Sequence, residues 1–202
     1  MNTLYQIPRC PFAHRARIAL NVKGIPYSTI YFESQQRPEL LVGLSPDALS
    51  PTLFDEANDT WVWDSTVVAE YLEDRHPSVG LLPKDAGLRA RARLAMREVD
   101  ARLGSLVHPL LEEYVHKPPE ARDLEHAARA LPRLQRGLEA WQPRLATQSF
   151  VAGDELTLAD LWLFTPLYAA AGLMGWEAVI PAQLPELRAW RERMTALPST
   201  SY

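Results

Sequence analysis

The chain of 202 residues carries one cysteine, and it stands directly before a proline: Cys10-Pro11. Proline is at home in the first turn of a helix, where its missing N–H leaves no bond unmade. With Pro11 as the first helical residue, Cys10 becomes the N-cap. Its sulfur is expected to face unpaired backbone N–H groups and the positive end of the helix dipole. Both favour thiolate over thiol, and the thiolate is the nucleophile. Arg9 and His14 add positive charge nearby. Ala13 occupies the place that the second thiol of a Cys-x-x-Cys dithiol would take, so exchange chemistry must borrow its second thiol from a small molecule. The competing reading is a lone cysteine buried as a small hydrophobe.

Two further pairs could serve a ligand. Ser50-Pro51 precedes the apolar run Thr52-Leu53-Phe54, a place compatible with a cis peptide bond. Trp63-Asp64-Ser65 sets a carboxylate and a hydroxyl at a helix start. Locally that is a capping pair, and it also offers an acceptor and a donor to an amino-acid-like headgroup. Thr157 and Asp160 have capping-box spacing before a strongly apolar run, which is a structural device without chemistry.

The elements around these residues divide the chain. Thr3 to Ile7 reads as a strand ending at Pro8, and Pro11 opens a helix with Phe12, Ala16, Ala19 and Leu20 on one side. That pattern puts His14, Arg17 and Asn21 away from the apolar side. The helix stops at Lys23-Gly24, with the cation suited to the helix C-terminus and glycine to the left-handed cap. Tyr27 to Phe32 is β-branched and aromatic, a second strand. A short helix over 38–44, a hairpin of Thr52-Leu53-Phe54 with Trp61-Val62-Trp63, and a helix capped by Asp64 or Ser65 come next. The order βαβ-α-ββα describes an α/β thioredoxin-like domain over residues 1–77. Residues 78–86 are broken by proline and glycine and read as a linker. Residues 87–202 show helical patterns only: one long helix over 87–115 bent near Pro109, another over 120–145 divided or kinked at Pro132, then 157–171 and 184–197.

The bulk properties exclude several function classes. Net charge is −4, and the arginines Arg89, Arg91, Arg93 and Arg97 are followed by Glu98 and Asp100, a solvated helix face and no nucleic-acid footprint. The five histidines do not cluster, so no metal site is expected. One cysteine allows no intramolecular disulfide and suits a reducing, cytoplasmic compartment. No secretory signal is visible at Met1-Asn2-Thr3. The uncharged stretch 161–176 is shorter than the ~20 residues a membrane span needs, so it reads as a buried core helix.

Taken in order, the thioredoxin-like front, the Pro51 turn, the Asp64-Ser65 pair and the Gly153-Asp154…Thr157…Asp160 helix entry resemble the glutathione transferase superfamily over nearly the whole chain. Cys10-Pro11-Phe12-Ala13-His14-Arg15 resembles the omega class of that superfamily. The resemblance implies the glutathione transferase fold and an omega-like thiol transferase or dehydroascorbate reductase, with glutathione as co-substrate. It implies that Cys10 forms a mixed disulfide with glutathione and that Phe12 lines the site. Arg37 would contact the peptide, and Ser50 would pair its backbone with the cysteinyl unit. Pro51 would be cis, and Asp64 with Ser65 would hold the γ-glutamyl end. It also implies a homodimer, no metal, and a small electrophilic or disulfide substrate near Tyr114, His116, Trp162 and Tyr168. Conventional conjugation, with Cys10 incidental, and a non-catalytic binding module of the same fold are the alternatives. Ser50, Asp64 and Arg37 depart from the residues usual in that superfamily.

Overall fold

A computed structural model describes residues 1–33, 36–44 and 50–197. The chain divides into two compact units, Met1–Gly80 and a second that begins at Leu81.

In the first unit the strands are β1 (Asn2–Gln6), β2 (Tyr27–Tyr31), β3 (Thr52–Asp55) and β4 (Thr60–Trp63). They form one mixed sheet in the order β2-β1-β3-β4, with β1 parallel to β2 and antiparallel to β3, and β3 antiparallel to β4. The helices are α1 (Pro11–Val22), α2 (Glu39–Leu44) and α3 (Ser65–Arg75). Leu4, Leu53 and Val62 of the sheet are buried, as are Ile18, Ala19 and Leu20 of α1 and Val68, Ala69 and Leu72 of α3. Each fully buried Leu or Ile contributes roughly 1.5–3 kcal/mol to holding helix on sheet.

Of the expected apolar side of α1, Ala16, Ala19 and Leu20 are buried and Phe12 is not, and the opposite side is buried too. Phe12 is 44% exposed, whereas His14 is fully buried and Arg15 and Arg17 nearly so. Alanine supplies the buried positions Ala13, Ala16 and Ala19, and a small residue can be enclosed on any side of a helix. Periodicity thus found one buried side of α1 but not that the helix is enclosed on the other as well. Lys23 also departs from its expected role. Gly24 does take the left-handed conformation (φ 66°), but the Lys23 side chain leaves its own helix end and reaches the end of α3.

Asp55, at the end of β3, is buried and gathers the loop to β4. Its carboxylate accepts from Tyr71 Oη (2.7 Å), Asn58 Nδ2 (2.6 Å) and the Ala57 N–H (3.1 Å), with Arg75 at 3.7 Å. Burial pushes this carboxyl up, but the hydrogen bonds and the guanidinium outweigh burial and hold it below the usual range.

Among the described residues the second unit has no strand, and its α-helices are α4 (Ala86–Leu111), α5 (Leu124–Leu138), α6 (Gln142–Leu145), α7 (Leu158–Met174), α8 (Trp176–Val179) and α9 (Pro185–Thr195). α4 ends in a π-helical turn over Glu112–His116 just after Pro109, since proline cannot donate to the preceding turn. Pro132 lies inside α5, which continues through it to Leu138. Leu81 and Leu82 are both buried, and Leu81 O accepts from the Leu158 N–H at 2.8 Å. The stretch read as linker thus anchors its apolar residues in the helical unit.

α7 is the axis of this unit and is buried on nearly every side. Its first turn closes around Asp160, which accepts from the Val151 N–H, the Thr157 N–H and Oγ1, and Trp190 Nε1 at 2.7–3.0 Å. Burial pushes the Asp160 carboxyl up, while those four donors favour the charged form. Among the described residues no helix is long and apolar enough to cross a membrane.

Asp55 makes the stability of the first unit depend on acid. A carboxyl whose folded value lies below its unfolded value of about 3.9 contributes fully above that pH and loses the contribution as the pH falls through the folded value. Urea unfolding between pH 6 and pH 3 will show this loss. Asp55→Asn is expected to lower stability by about 1–2 kcal/mol at pH 6 and to flatten the acid limb.

Candidate functional site

The sheet register decides which loops meet. Tyr5 pairs with Thr52, and Thr52 pairs with Trp63. The residues after Tyr5, those before Thr52 and those after Trp63 must therefore lie at one end of the sheet. Those segments are Gln6 to Cys10, Ser50-Pro51 and Asp64-Ser65.

The turn from β1 to α1 arises from its own residues. The Cys10 N–H donates to Ile7 O at 3.2 Å, closing a β-turn with Pro8 and Arg9 at its centre. Arg9 has φ 61°. Proline before a positive-φ residue is the pattern of a type II turn, in which a non-glycine residue carries some strain. The turn delivers Cys10 to the N-cap of α1 with Pro11 at the first helical position, as expected.

The Cys10 sulfur does not behave as a cap. It is buried and makes no hydrogen bond to the helix N–H groups. Its nearest polar partner is Ser50 O, at 3.8 Å. A thiol S–H is a weak donor, so this contact is that of a thiol pointing at a carbonyl. The expectation that Sγ faces the helix N–H groups is thus corrected. The backbone turn places Cys10 at the helix start, and its χ1 carries the sulfur across to the neighbouring loop.

That neighbouring loop is held independently. The Ser50–Pro51 peptide is cis, and Ser50 Oγ accepts from the Ile7 N–H at 3.0 Å. Serine at this position therefore ties the loop to the end of β1 through its side chain, and its backbone carbonyl remains directed at Cys10.

Asp64 is the N-cap of α3. Its Oδ1 accepts from the N–H groups of Thr66 (2.7 Å) and Val67 (3.2 Å). The residue is exposed and has φ 68°. Its Oδ2 and the mostly buried Ser65 Oγ have no hydrogen-bond partner among the described residues. One carboxylate oxygen and one hydroxyl are thus left at a helix N-terminus.

Phe12 lies on the outer side of α1 under the Arg15 guanidinium, 5.1 Å from its ring centre. Arg37 is half-buried on the segment leading into α2. The structure brings Cys10, Ser50 and Pro51 into contact, and the register adds Asp64 and Ser65 at the same sheet end. Phe12 is turned outward and is not joined to them by any contact among the described residues.

The four residues considered for a second substrate lie in the helical unit. Trp162 is buried in α7, and Tyr168 packs against Phe164 and Trp176 with ring centres 5.4 and 6.1 Å apart. Tyr114 projects from the π-helical turn onto α7 at Gly172, where an added Cβ would fall 2.5 Å from its hydroxyl oxygen. His116 is exposed at the end of that turn. Among the described residues no group of three His, Cys, Asp or Glu is placed to hold a metal ion.

A thioredoxin-like sheet unit, with a cysteine N-cap beside a cis-proline loop, joined to an all-helical unit defines the glutathione transferase fold. Residues 9–75 match the family model for the glutathione S-transferase N-terminal domain, and residues 106–198 match that for its C-terminal domain. The chain belongs to the glutathione S-transferase family. A stringent starvation protein A homolog from Haemophilus ducreyi is 31% identical over 75% of this chain and 66% of its own length. Glutathione S-transferase omega-1 from Sus scrofa is 27% identical over 98% of this chain and 78% of its own. The crystal structure of a glutathione S-transferase from Rhodospirillum rubrum F11 superposes with a TM-score of 0.86 at 26% identity, covering 99% of this chain and 90% of that one.

Asp64→Ala removes both capping bonds and leaves an alanine at positive φ. We expect a loss of about 1–2 kcal/mol in thermal or urea unfolding. Asp64→Asn keeps an acceptor and tolerates that backbone region, so it should lose less than half as much.

Proposed function

We propose that the protein is a glutathione-dependent thiol transferase of omega type, with Cys10 as nucleophile. The observation that supports this most is the placement of a thiol, at a helix N-cap, 3.8 Å from the carbonyl preceding a cis-proline. Sequence similarity to an omega-class transferase over 98% of the chain points the same way. Glutathione is the co-substrate in this reading. Ser50 supplies backbone groups to its cysteinyl unit, and Asp64 Oδ2 with Ser65 Oγ receives its γ-glutamyl ammonium and carboxylate. Arg37 carries charge towards the peptide, and Phe12 offers an apolar wall.

The reaction runs in two exchanges. The Cys10 sulfur, its proton lost, attacks the glutathione sulfur of a mixed disulfide R–S–S–G. The new Cys10–glutathione disulfide forms as the S–S bond of the substrate breaks, and the leaving thiolate R–S⁻ takes up a proton. A second glutathione thiolate then attacks the glutathione sulfur of that intermediate. Glutathione disulfide leaves, and Cys10 recovers its electron pair and a proton. Two glutathione-derived sulfurs end as one disulfide and the substrate is released as its thiol. Ser50 O, which accepts from the Cys10 thiol, belongs to the same backbone that glutathione would use, so binding would release Sγ from that contact.

A second reading is conjugation of glutathione to an electrophile, with Cys10 structural. The burial of the thiol and its lack of a bond to the helix N–H groups favour it. In both readings the chain works as a homodimer. That proposal is supported by an apolar groove of 580 Å³ lined by Trp61, Trp63, Val67 and Tyr71 and rimmed by Glu70, Asp74 and, where it meets the proposed glutathione site, Asp64. A smaller groove beside Pro109 is rimmed by His126, Arg129 and Arg133, so two copies offer each other opposite charge. Sedimentation should give twice the 22.8 kDa chain mass, and Arg129→Glu with Arg133→Glu should shift it towards one chain.

Intact mass after exposure to glutathione disulfide tests the nucleophile. The wild type is expected to gain one glutathione and to reduce a mixed-disulfide substrate, and Cys10→Ser to lose both, with turnover down by at least about 100-fold. Activity that survives Cys10→Ser and appears only with electrophiles would make conjugation the function.

A further inference from the structure

We infer that Lys23 and Glu73 form a buried clamp that sets the distance between Cys10 and the Asp64-Ser65 pair, and so act as positioning residues for glutathione. The inference rests on the function proposed above for those two groups.

Lys23 and Glu73 lie far along the chain from the chemistry. Their side chains are 1% and 9% exposed, and Nζ stands 2.7 Å from Glu73 Oε1. The same Nζ donates to His76 O at 3.0 Å and to Val79 O at 2.6 Å. An ammonium has three N–H donors, and all three are thereby used. One acceptor is in the last turns of α3 and two are in the chain just beyond it. Lys23 itself is the C-cap residue of α1.

Topology makes this a joint between two parallel rods. β1 and β4 run in the same direction, because both are antiparallel to β3. α1 comes after β1 and α3 after β4, so the two helices run back in a common direction, packed on each other. With 12 and 11 residues they are similar in length, roughly 18 and 17 Å at 1.5 Å per residue. The clamp joins their C-terminal ends. At their N-terminal ends stand Cys10 and Asp64-Ser65.

α1 buries Ile18 and Leu20 as well as Ala13, Ala16 and Ala19, and α3 buries Val68, Ala69 and Leu72, so apolar packing holds the two helices together. Such packing is non-directional, whereas the clamp ties one end of the pair at a fixed point. A buried ion pair adds little to net stability compared with an apolar pair of the same volume, but its directional bonds select one arrangement. A tripeptide that must reach both helix ends at once responds to a shift of either rod.

The double variant Lys23→Met/Glu73→Leu replaces the clamp with an apolar pair of similar volume. Two measurements are made on it and on the wild type: the rate of Cys10 alkylation by iodoacetamide, and the affinity for glutathione by calorimetry. Alkylation needs Cys10 alone and should stay within about two-fold, whereas glutathione affinity should fall about ten-fold or more, because it depends on the spacing of both ends. Lys23→Arg, which keeps charge and several donors, should retain more affinity than the double variant. Wild-type affinity in a folded double variant overturns the inference, and so does an equal loss of alkylation and binding. If the double variant does not fold, Glu73→Gln is read by the same two assays against the same criteria. A wild type that binds no glutathione overturns the functional reading itself and is told apart from these outcomes by the unmutated control.

Discussion

The ladder Tyr5–Thr52–Trp63 is the constraint on which the site depends. Hydrogen bonds across three strands lock these residues side by side, and each strand then hands over to a turn at the same end of the sheet. A slip of one residue in either pairing would turn Leu4, Leu53 and Val62 out of the core, so the burial of those side chains enforces the register. Cys10, the Ser50–Pro51 peptide and the Asp64-Ser65 pair are neighbours because the sheet cannot pair in any other way that keeps its apolar face covered. The proposed chemistry draws on three chain segments, and the ladder is what brings them to one end of the sheet.

Around that ladder the first unit uses charged and polar groups as fasteners. Asp55 collects four partners at one end of β3, Lys23 collects three at the helix ends, and Ser50 Oγ ties its loop to Ile7. Each is buried or partly buried and bonded to a partner distant in sequence. The helical unit is built around a different fastener. Asp160 receives donors from the loop before α7, from its own cap and from α9, so one carboxylate orients three segments around the most apolar helix of the chain. A buried carboxylate with all its donors in place is tolerable, and the same group with one donor missing is costly, which makes such centres specific about arrangement.

Membership of the glutathione S-transferase family and the character of the site answer different questions. The family models and relatives cover most of the chain and account for both units. The relatives' names nevertheless span a transferase and a starvation protein, so the reaction has to be argued from Cys10 and its surroundings. There the geometry adds a detail that family membership does not carry. The thiol is turned to a backbone carbonyl, and under the proposed function a ligand would displace that contact.

Sequence by itself determined the elements and their order. Proline and glycine punctuation, β-branched runs and cap residues act within a few residues, so β1 to β4, α1 to α3 and the Asp64 and Thr157 helix entries were legible locally. The same locality gave Cys10 its place at an N-cap through Pro11. What only the tertiary structure decided were contacts between segments far apart in the chain. Lys23 looked like a helix-end cation and is a cross-helix clamp; His14 and Arg17 looked solvated and are buried; Leu81 and Leu82 looked like linker and are core. The Cys10 sulfur, expected to face its own helix, is aimed at Ser50, a residue 40 positions away. A side chain's rotamer and burial are set by what packs against it, and that partner is chosen by sheet register and helix packing rather than by neighbours in sequence.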